Sequence, residues 1–181
     1  MLTDVFRASK SNPALTMYRR VFNDGVQMNK QQLTDLVIIP TLKEIPNGYS
    51  PEAVMAILMI IAHESVGGEY LAQTNGPALG VIQMEPATHT ETWRWGDSII
   101  RNAKKLGIIP DDDEGFTVFP DAERLIYDLR YNVFMARQKL FMAPGALPSN
   151  IQNMAIYLKK HWNGDGKATP QKYQDDFMGW I

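Results

Sequence analysis

Glu64 is the residue whose position most directly suggests chemistry. It follows an almost uninterrupted apolar stretch from Ala53 to Ala62, with Ile60 and Ile61 one turn before it. A carboxyl group at the end of such a helix is expected to be partly desolvated, and desolvation raises its pKa because it penalises the charged form. An acid with a raised pKa can donate a proton near neutral pH. Glu64 is therefore a candidate general acid, although its position also suits a residue that caps a turn or pairs with a lysine.

Three short motifs occur in order along the chain: His63-Glu64-Ser65, then Gly80-Val81-Ile82-Gln83-Met84, and much later Trp162-Asn163-Gly164. Together they resemble the motifs of soluble lytic transglycosylases and goose-type lysozymes, which belong to the lysozyme-like superfamily. The longer phrases 78–89 and 157–163 are closer still to bacteriophage endolysins and virion-associated lysins. The resemblance covers residues 50–180, with a loose helical match between the motifs.

The resemblance implies a role for each matching residue. Glu64 would be the general acid and base, and Gln83 would line a sugar-binding cleft. Trp162 and Asn163 stand where the family has a Tyr-Asn pair, so that either Tyr157 or Trp162 could be the aromatic residue that faces Glu64. The substrate-binding residues implied in this way are Ser65, Gly80, Gln83, Met84, Tyr157, Trp162 and Asn163.

A second carboxylate would decide the product of such a reaction. Glycosidic cleavage requires protonation of the leaving oxygen while an oxocarbenium-like centre develops. If a second carboxylate activates water, the product has a free reducing end. If none does, the muramyl 6-hydroxyl can attack and form a 1,6-anhydro sugar. Glu85 and Glu69 are the nearby candidates, and Glu85 directly follows the Gln83-Met84 pair.

Metal and serine-hydrolase chemistry are poorly supported by the sequence. A zinc-protease helix needs a histidine at both ends of His-Glu-x-x-His, but position 67 is glycine, and the chain has no cysteine. Ser65 lacks the Gly-x-Ser-x-Gly elbow of a serine hydrolase. We therefore expect no metal and no cofactor, with His63 in the core or behind the site.

The elements that must position Glu64 are helices. Ser50, Pro51 and Glu52 form a helix start, with an N-cap serine, a first-turn proline and a first-turn acid. The helix that follows, from Pro51 to Glu64, is apolar on nearly every side, which predicts a central position among other helices. Gly67 and Gly68 should end it. Further predicted helices span residues 13–23, 30–45, 97–106, 120–141, 149–162 and 169–180, and residues 87–95 form a shorter candidate.

We therefore predict a mainly α, lysozyme-like fold with a central buried helix. The glycine-rich segment 66–81 is the exception to helix, and a loop or small hairpin there would line the cleft. We expect a single catalytic domain over residues 1–181, with N-terminal helices in 1–48 and a core that bears the motifs in 49–181.

The composition argues against two classes of partner, nucleic acid and membranes, and the N-terminus suggests where the protein is made. The chain has 181 residues and a formal net charge of -2, which gives no general attraction to nucleic acid. Its longest apolar run is far shorter than the roughly 20 residues of a membrane span, so no stable membrane insertion is expected. The N-terminus does not have the pattern of a secretory signal, which predicts synthesis in a cytoplasm, and the resemblance implies that of a bacterial host.

The partner implied by the resemblance is the glycan strand of peptidoglycan, reached in the periplasm through a membrane pore or by delivery with phage virion proteins. We expect the protein to act as a monomer. The alternative is a non-catalytic virion or wall-binding protein that keeps the fold.

Overall fold

The computed structural model describes residues 27–111, 119–164 and 166–180, and this part of the chain is mainly helical. The predicted mainly α class is therefore confirmed. The predicted helix 13–23 lies outside the described residues. In chain order the helices are α1 (Lys30–Leu33), α2 (Ile39–Glu44), α3 (Pro51–Glu64), α4 (Pro86–Trp93), α5 (Asp97–Lys105), α6 (Arg124–Tyr127), α7 (Leu129–Met142), α8 (Ile151–His161) and α9 (Pro170–Gly179).

Helix α3 forms the centre of the fold, as its sequence predicts, and it has the predicted bounds. Its N-terminus is capped by Ser50, whose Oγ accepts a hydrogen bond from the backbone N–H of Ala53 at 3.1 Å. Every residue from Ala56 to Ala62 is buried, and α3 packs against α7, α8 and α9. Because the surrounding helices cover nearly all sides of α3, the carboxyl group at its end starts inside the protein.

The predicted helix 30–45 contains one wider turn. A π-helical segment, Thr34–Ile38, joins α1 to α2, and the backbone N–H of Ile39 bonds to the carbonyl oxygen of Thr34, five residues earlier. Pro40 explains this turn, because proline has no N–H to donate and its ring crowds the preceding turn of an α-helix. The buried side chains of Leu33, Ile38 and Leu42 join the same apolar core as α3.

The predicted helix 120–141 is interrupted in the structure. Helix α6 begins only at Arg124, and Asp128 leaves the helical conformation with φ -117° and ψ 96°. The Asp128 side chain then caps α7 by accepting a hydrogen bond from the N–H of Tyr131 at 2.9 Å. The continuous-helix prediction was wrong here because the apolar spacing persists through a residue that prefers a cap to a helix interior.

The glycine-rich stretch after α3 is a looped segment with isolated antiparallel bridges between Ala72 and Leu79 and between Leu79 and Met84. We call residues 66–85 the cleft loop. Gly67 has φ +67° and packs so closely on Trp180 that a β-carbon would lie 2.8 Å from its indole Nε1. Trp180 in turn donates from Nε1 to the carbonyl of Met28 at 2.8 Å, which fixes the end of the described chain beside the start of the loop.

Among the helices of the described ranges, none combines the length and apolar character that a bilayer-spanning helix requires.

Candidate active site

A cleft with a volume of about 660 Å³ lies at the C-terminal end of α3. Its lining comes from the cleft loop and the start of α4, from residues 162–164 and Gly166 after α8, and from Lys139 of α7. The cleft brings together most of the residues that the sequence singles out: Glu64, Gln83, Met84, Glu85, Trp162 and Asn163.

Glu64 lines this cleft while most of its side chain is enclosed by protein. Its Oε1 accepts a hydrogen bond from the hydroxyl of Tyr173 at 2.9 Å, and Nδ2 of Asn163 approaches the same oxygen at 3.5 Å. Its other oxygen, Oε2, has no hydrogen-bond partner among the residues that the structure describes. One oxygen of the carboxyl group is thus held by protein donors, and the other is available to a ligand.

Burial raises the pKa of Glu64 above its ordinary value, as the apolar helix predicts. Four groups act in the opposite direction and stabilise the carboxylate: the Tyr173 hydroxyl first, then His63, the Asn163 amide and the Lys139 ammonium. The site therefore favours a protonated Glu64 through desolvation, yet it contains donors and positive charges that stabilise the anion once the proton has left.

Tyr173 was missed by the sequence analysis, although it is the aromatic residue that contacts the Glu64 carboxyl group. Its side chain is fully buried. Burial and the adjacent Glu64 both raise the pKa of Tyr173, so the phenol stays protonated and acts as a donor. Nothing in the local sequence of α9 marks this tyrosine, because its partner is 109 residues away. The sequence analysis left open whether Tyr157 or Trp162 faces Glu64, and the aromatic residue that forms a hydrogen bond with its carboxyl group is Tyr173.

Trp162 and Asn163 follow α8 and line the cleft together with the cleft loop. Lys159 ties this turn together, since its Nζ donates to the carbonyl oxygens of Asn163 at 2.7 Å and Gly164 at 2.8 Å. Lys159, in the last turn of α8, thus satisfies carbonyl oxygens of the residues that follow the helix. Asn163 reaches Glu64 because Lys159 fixes the turn that carries it.

Lys139 is a second residue that the sequence analysis missed. Its Nζ donates to the carbonyl of Trp162 at 3.1 Å and lies 4.2 Å from the centre of the Trp162 ring. Burial lowers the pKa of Lys139, whereas the carboxylates of Glu64, Glu91 and Glu85 oppose that change. The signal that could have found Lys139 is the presence of a lysine in α7, a helix whose residues are mostly buried.

Gln83 and Met84 shape the loop side of the cleft through a tight turn. Gln83 has a positive φ of 44°, and its Nε2 donates to the carbonyl of Gly80 at 2.8 Å. Gly80 itself faces α7 and not the cleft: a β-carbon there would lie 2.1 Å from Oδ1 of Asn132 and 2.6 Å from the carbonyl oxygen of Leu125. Gly80 is therefore required for packing, and its predicted role in substrate binding is indirect.

Two further residues predicted to bind substrate lie elsewhere. Ser65 is fully buried, donates its hydroxyl to the carbonyl of Ile61 at 3.0 Å and accepts from the N–H of Gly68 at 3.0 Å. It therefore shapes the end of α3 and the start of the cleft loop. Tyr157 does not line the cleft, and its ring packs on His161 with centroids 4.7 Å apart. Its buried hydroxyl has no hydrogen-bond partner in the described part of the chain.

Glu85 lines the cleft but is exposed. It precedes α4 as the N-cap residue, and its side chain makes no capping hydrogen bond. No described group forms a hydrogen bond that would orient its carboxylate, which interacts with Lys139 only electrostatically.

His63 and His89 belong to different hydrogen-bond networks. Nδ1 of His63 donates to Oδ2 of Asp176 at 2.7 Å, whereas Nε2 of His89 lies 2.6 Å from the Tyr131 hydroxyl. Burial lowers the pKa of His89. Within residues 27–111, 119–164 and 166–180, no group of three or more histidine, aspartate or glutamate side chains is arranged to hold a metal ion.

Comparison with protein-family models, with curated proteins and with solved structures finds no match to this chain. The geometry of the site is therefore the basis for a proposal of its function.

Proposed function

We propose that the protein cleaves the β-1,4 linkage between N-acetylmuramic acid and N-acetylglucosamine in peptidoglycan, with Glu64 as the general acid. The observation that carries this proposal is the Glu64 carboxyl group itself. It has a raised pKa, lines an open cleft, and has one oxygen held by Tyr173 and the other without a described partner. A mainly helical fold with an acid at the end of its central helix is also consistent with the lysozyme-like fold that the motifs suggest.

The proposed reaction begins with protonation of the leaving group. Because Oε1 accepts the Tyr173 hydroxyl proton, the acid proton of Glu64 resides on Oε2. Transfer of that proton to the glycosidic oxygen accompanies cleavage of its bond to the muramyl C1, which develops oxocarbenium character. The resulting Glu64 carboxylate is stabilised by Tyr173, His63, Asn163 and Lys139, the groups that lower its pKa.

The second half of the reaction returns the proton. Either the muramyl 6-hydroxyl or a water molecule attacks C1, and the Glu64 carboxylate accepts the proton that the nucleophile loses. Attack by the 6-hydroxyl forms a 1,6-anhydro end, and attack by water forms a reducing end. Glu85 is the other carboxylate that lines the described cleft, and it has no described partner to orient it. We therefore propose the internal attack, which needs no second base.

Mass spectrometry of the soluble products from purified sacculi tests this function. We expect the wild-type protein to release disaccharide-peptide muropeptides. Glu64→Gln should remain folded and release almost none, because an amide cannot donate and recover a proton. The matched control is Glu52→Gln, the same substitution at the opposite end of α3, which should behave as wild type. Residual activity of a tenth or more in Glu64→Gln, roughly 1.4 kcal/mol of barrier, would refute the assignment of Glu64.

The same experiment separates catalysis from binding alone. A wall-binding protein that has kept the fold would sediment with the sacculi and release no muropeptides. That outcome would overturn the proposed enzymatic function.

A further inference from the structure

Two contacts join the last turn of α3 to one face of α9. Glu64 accepts the Tyr173 hydroxyl, and its neighbour His63 donates from Nδ1 to Oδ2 of Asp176 at 2.7 Å. Tyr173 and Asp176 are three residues apart in α9, so their side chains share a face of that helix. The His63 and Tyr173 rings are in contact as well, with centroids 4.0 Å apart and planes tilted by 34°.

The His63–Asp176 pair lies behind the site and outside the cleft lining. The side chains of His63 and Asp176 are only 12% and 18% exposed, so water screens their attraction less than that of a surface ion pair. The second oxygen of Asp176, Oδ1, is occupied by the Lys172 ammonium, one turn earlier in α9. Asp176 is therefore fixed on both of its oxygens, and His63 is fixed by Asp176.

We propose that His63 and Asp176 are a positioning pair: they hold Tyr173 against Oε1 of Glu64, so that Oε2 is the oxygen that carries the catalytic proton into the cleft. This inference rests on the proposed function of Glu64 as the acid. The pair matters because the hydrogen bond from Tyr173 must reach one particular oxygen of the Glu64 carboxyl group. A carboxyl group can rotate its two oxygens, and a tyrosine donor selects one of them only while the donor itself is held. Without the pair, Tyr173 keeps the packing of α9, the Trp180 hydrogen bond at the end of that helix and its own contacts with Glu64 and Asn163, but it loses the polar anchor one turn away on its own face of α9.

The pair also affects the electrostatic environment of Glu64, whose carboxyl group four residues face. They are His63 on α3 itself, Tyr173 on α9, Asn163 in the turn after α8, and Lys139 on α7. Each of them lowers the pKa of Glu64. Removing His63 therefore has two effects with the same sign: the electrostatic interaction by which His63 lowers the pKa of Glu64 is lost, and the Tyr173 hydrogen bond is weakened. Both raise the pKa of Glu64.

Kinetics on sacculi with four variants test the pair. His63→Leu removes the donor at similar volume, Asp176→Ala removes the acceptor, and Asp176→Asn keeps an acceptor oxygen. Arg130→Gln is the control, because it breaks an ion pair between α7 and Glu44 of α2 in which neither residue lines the cleft. We expect His63→Leu and Asp176→Ala to lower kcat by about 10-fold or more at nearly unchanged KM, since slight misplacement of a catalytic group costs that much. Asp176→Asn should stay within about threefold of wild type.

Titration of the Glu64 carboxyl carbon by ¹³C NMR, assigned by comparison with Glu64→Gln, gives a measure that does not depend on activity. His63→Leu should raise the pKa of Glu64, and Arg130→Gln should leave it unchanged. If His63→Leu and Asp176→Ala match Arg130→Gln in kcat and in the titration of Glu64, the pair is merely structural and the inference is wrong. If wild type releases no muropeptides, the proposed function fails, while the titration alone still decides whether His63 acts on Glu64.

Discussion

Tyr173 donates its hydroxyl hydrogen to Oε1 of Glu64 over 2.9 Å, across 109 residues of sequence. This bond joins the end of the central helix α3 to the last described helix, α9. It stabilises the Glu64 carboxylate, while burial favours the protonated acid. A group that must donate and then recover one proton benefits from both, because neither form is then strongly disfavoured.

Removing this hydroxyl should slow the reaction. In Tyr173→Phe we expect kcat to fall by about 10-fold, less than the roughly 100-fold or more for losing a donor that contacts the substrate, because Tyr173 acts through Glu64. The pKa of Glu64 should rise, so the alkaline limb of the kcat/KM profile should move to higher pH.

Tyr157→Phe is the matched control, because that buried hydroxyl has no described partner. Its loss should leave kcat unchanged and stability equal or higher. Equal kcat in Tyr173→Phe and wild type would contradict the role of Tyr173.

Glu64 should reduce stability at neutral pH. Its folded-state pKa is raised above the ordinary value of 4.5, so protonation favours the folded state. The stabilising contribution of Glu64 is fully present below about pH 4.5 and is lost as the pH rises through the raised folded-state pKa. We therefore expect Glu64→Gln to raise Tm at pH 7, by about 2–4 °C for each kcal/mol gained in a domain of this size.

Thermal unfolding followed by circular dichroism from pH 4 to pH 8 checks this prediction. The difference in Tm between Glu64→Gln and wild type should shrink toward pH 4. Glu52→Gln is the control, since a carboxylate in the first turn of α3 favours the helix and its loss should not raise Tm. A Tm gain in Glu64→Gln that is constant with pH would show that desolvation of the charge is not its cause.

Glu85→Gln should have little effect on turnover, because no described group orients this exposed carboxylate. We expect less than a 10-fold change in kcat, and wild-type products with 1,6-anhydro ends. Mass spectrometry distinguishes these products from hydrolytic ones, which are heavier by one water. A loss of about 100-fold or more together with reducing-end products would instead assign water activation to Glu85. Anhydro products with a severe defect would indicate that Glu85 binds sugar or supports Glu64.

Gly80→Ala should destabilise the fold by about 2–3 kcal/mol through backbone strain and overlap. Gly80 has φ +72°, and a β-carbon would overlap Asn132 Oδ1 and the Leu125 carbonyl. Asn132 cannot easily move, since its Nδ2 donates to the carbonyl oxygens of Leu125 and Asp128.

The matched control is Gly107→Ala, at φ +65° with no atom within 4 Å of the added carbon. Urea unfolding should show a loss of about 1 kcal/mol for the control. Equal losses in the two variants would mean that the contact with α7 is unimportant.

The sequence was sufficient to predict features that depend on residues close together in the chain. The Ser50 cap, Pro51 and the apolar run predicted α3 with its observed bounds, and they predicted the direction of the Glu64 pKa shift. Periodicity was less reliable where one residue overrides it. Pro40 inserts a π-turn, and Asp128 ends one helix and caps the next. Both exceptions come from backbone hydrogen bonding, to which hydrophobic spacing is insensitive.

Only the tertiary structure decided which side chains meet at the end of α3. Gln83 and Asn163 could be placed near Glu64 through their motifs, but Tyr173 and Lys139 could not. Tyr173 reaches Glu64 because α9 packs against α3, and His63 and Asp176 join the same two helices. Such contacts depend on how helices distant in sequence pack to bury their apolar faces, and local sequence does not encode that choice. The sequence therefore determined the acid and its desolvation, whereas packing determined the donors that hold it.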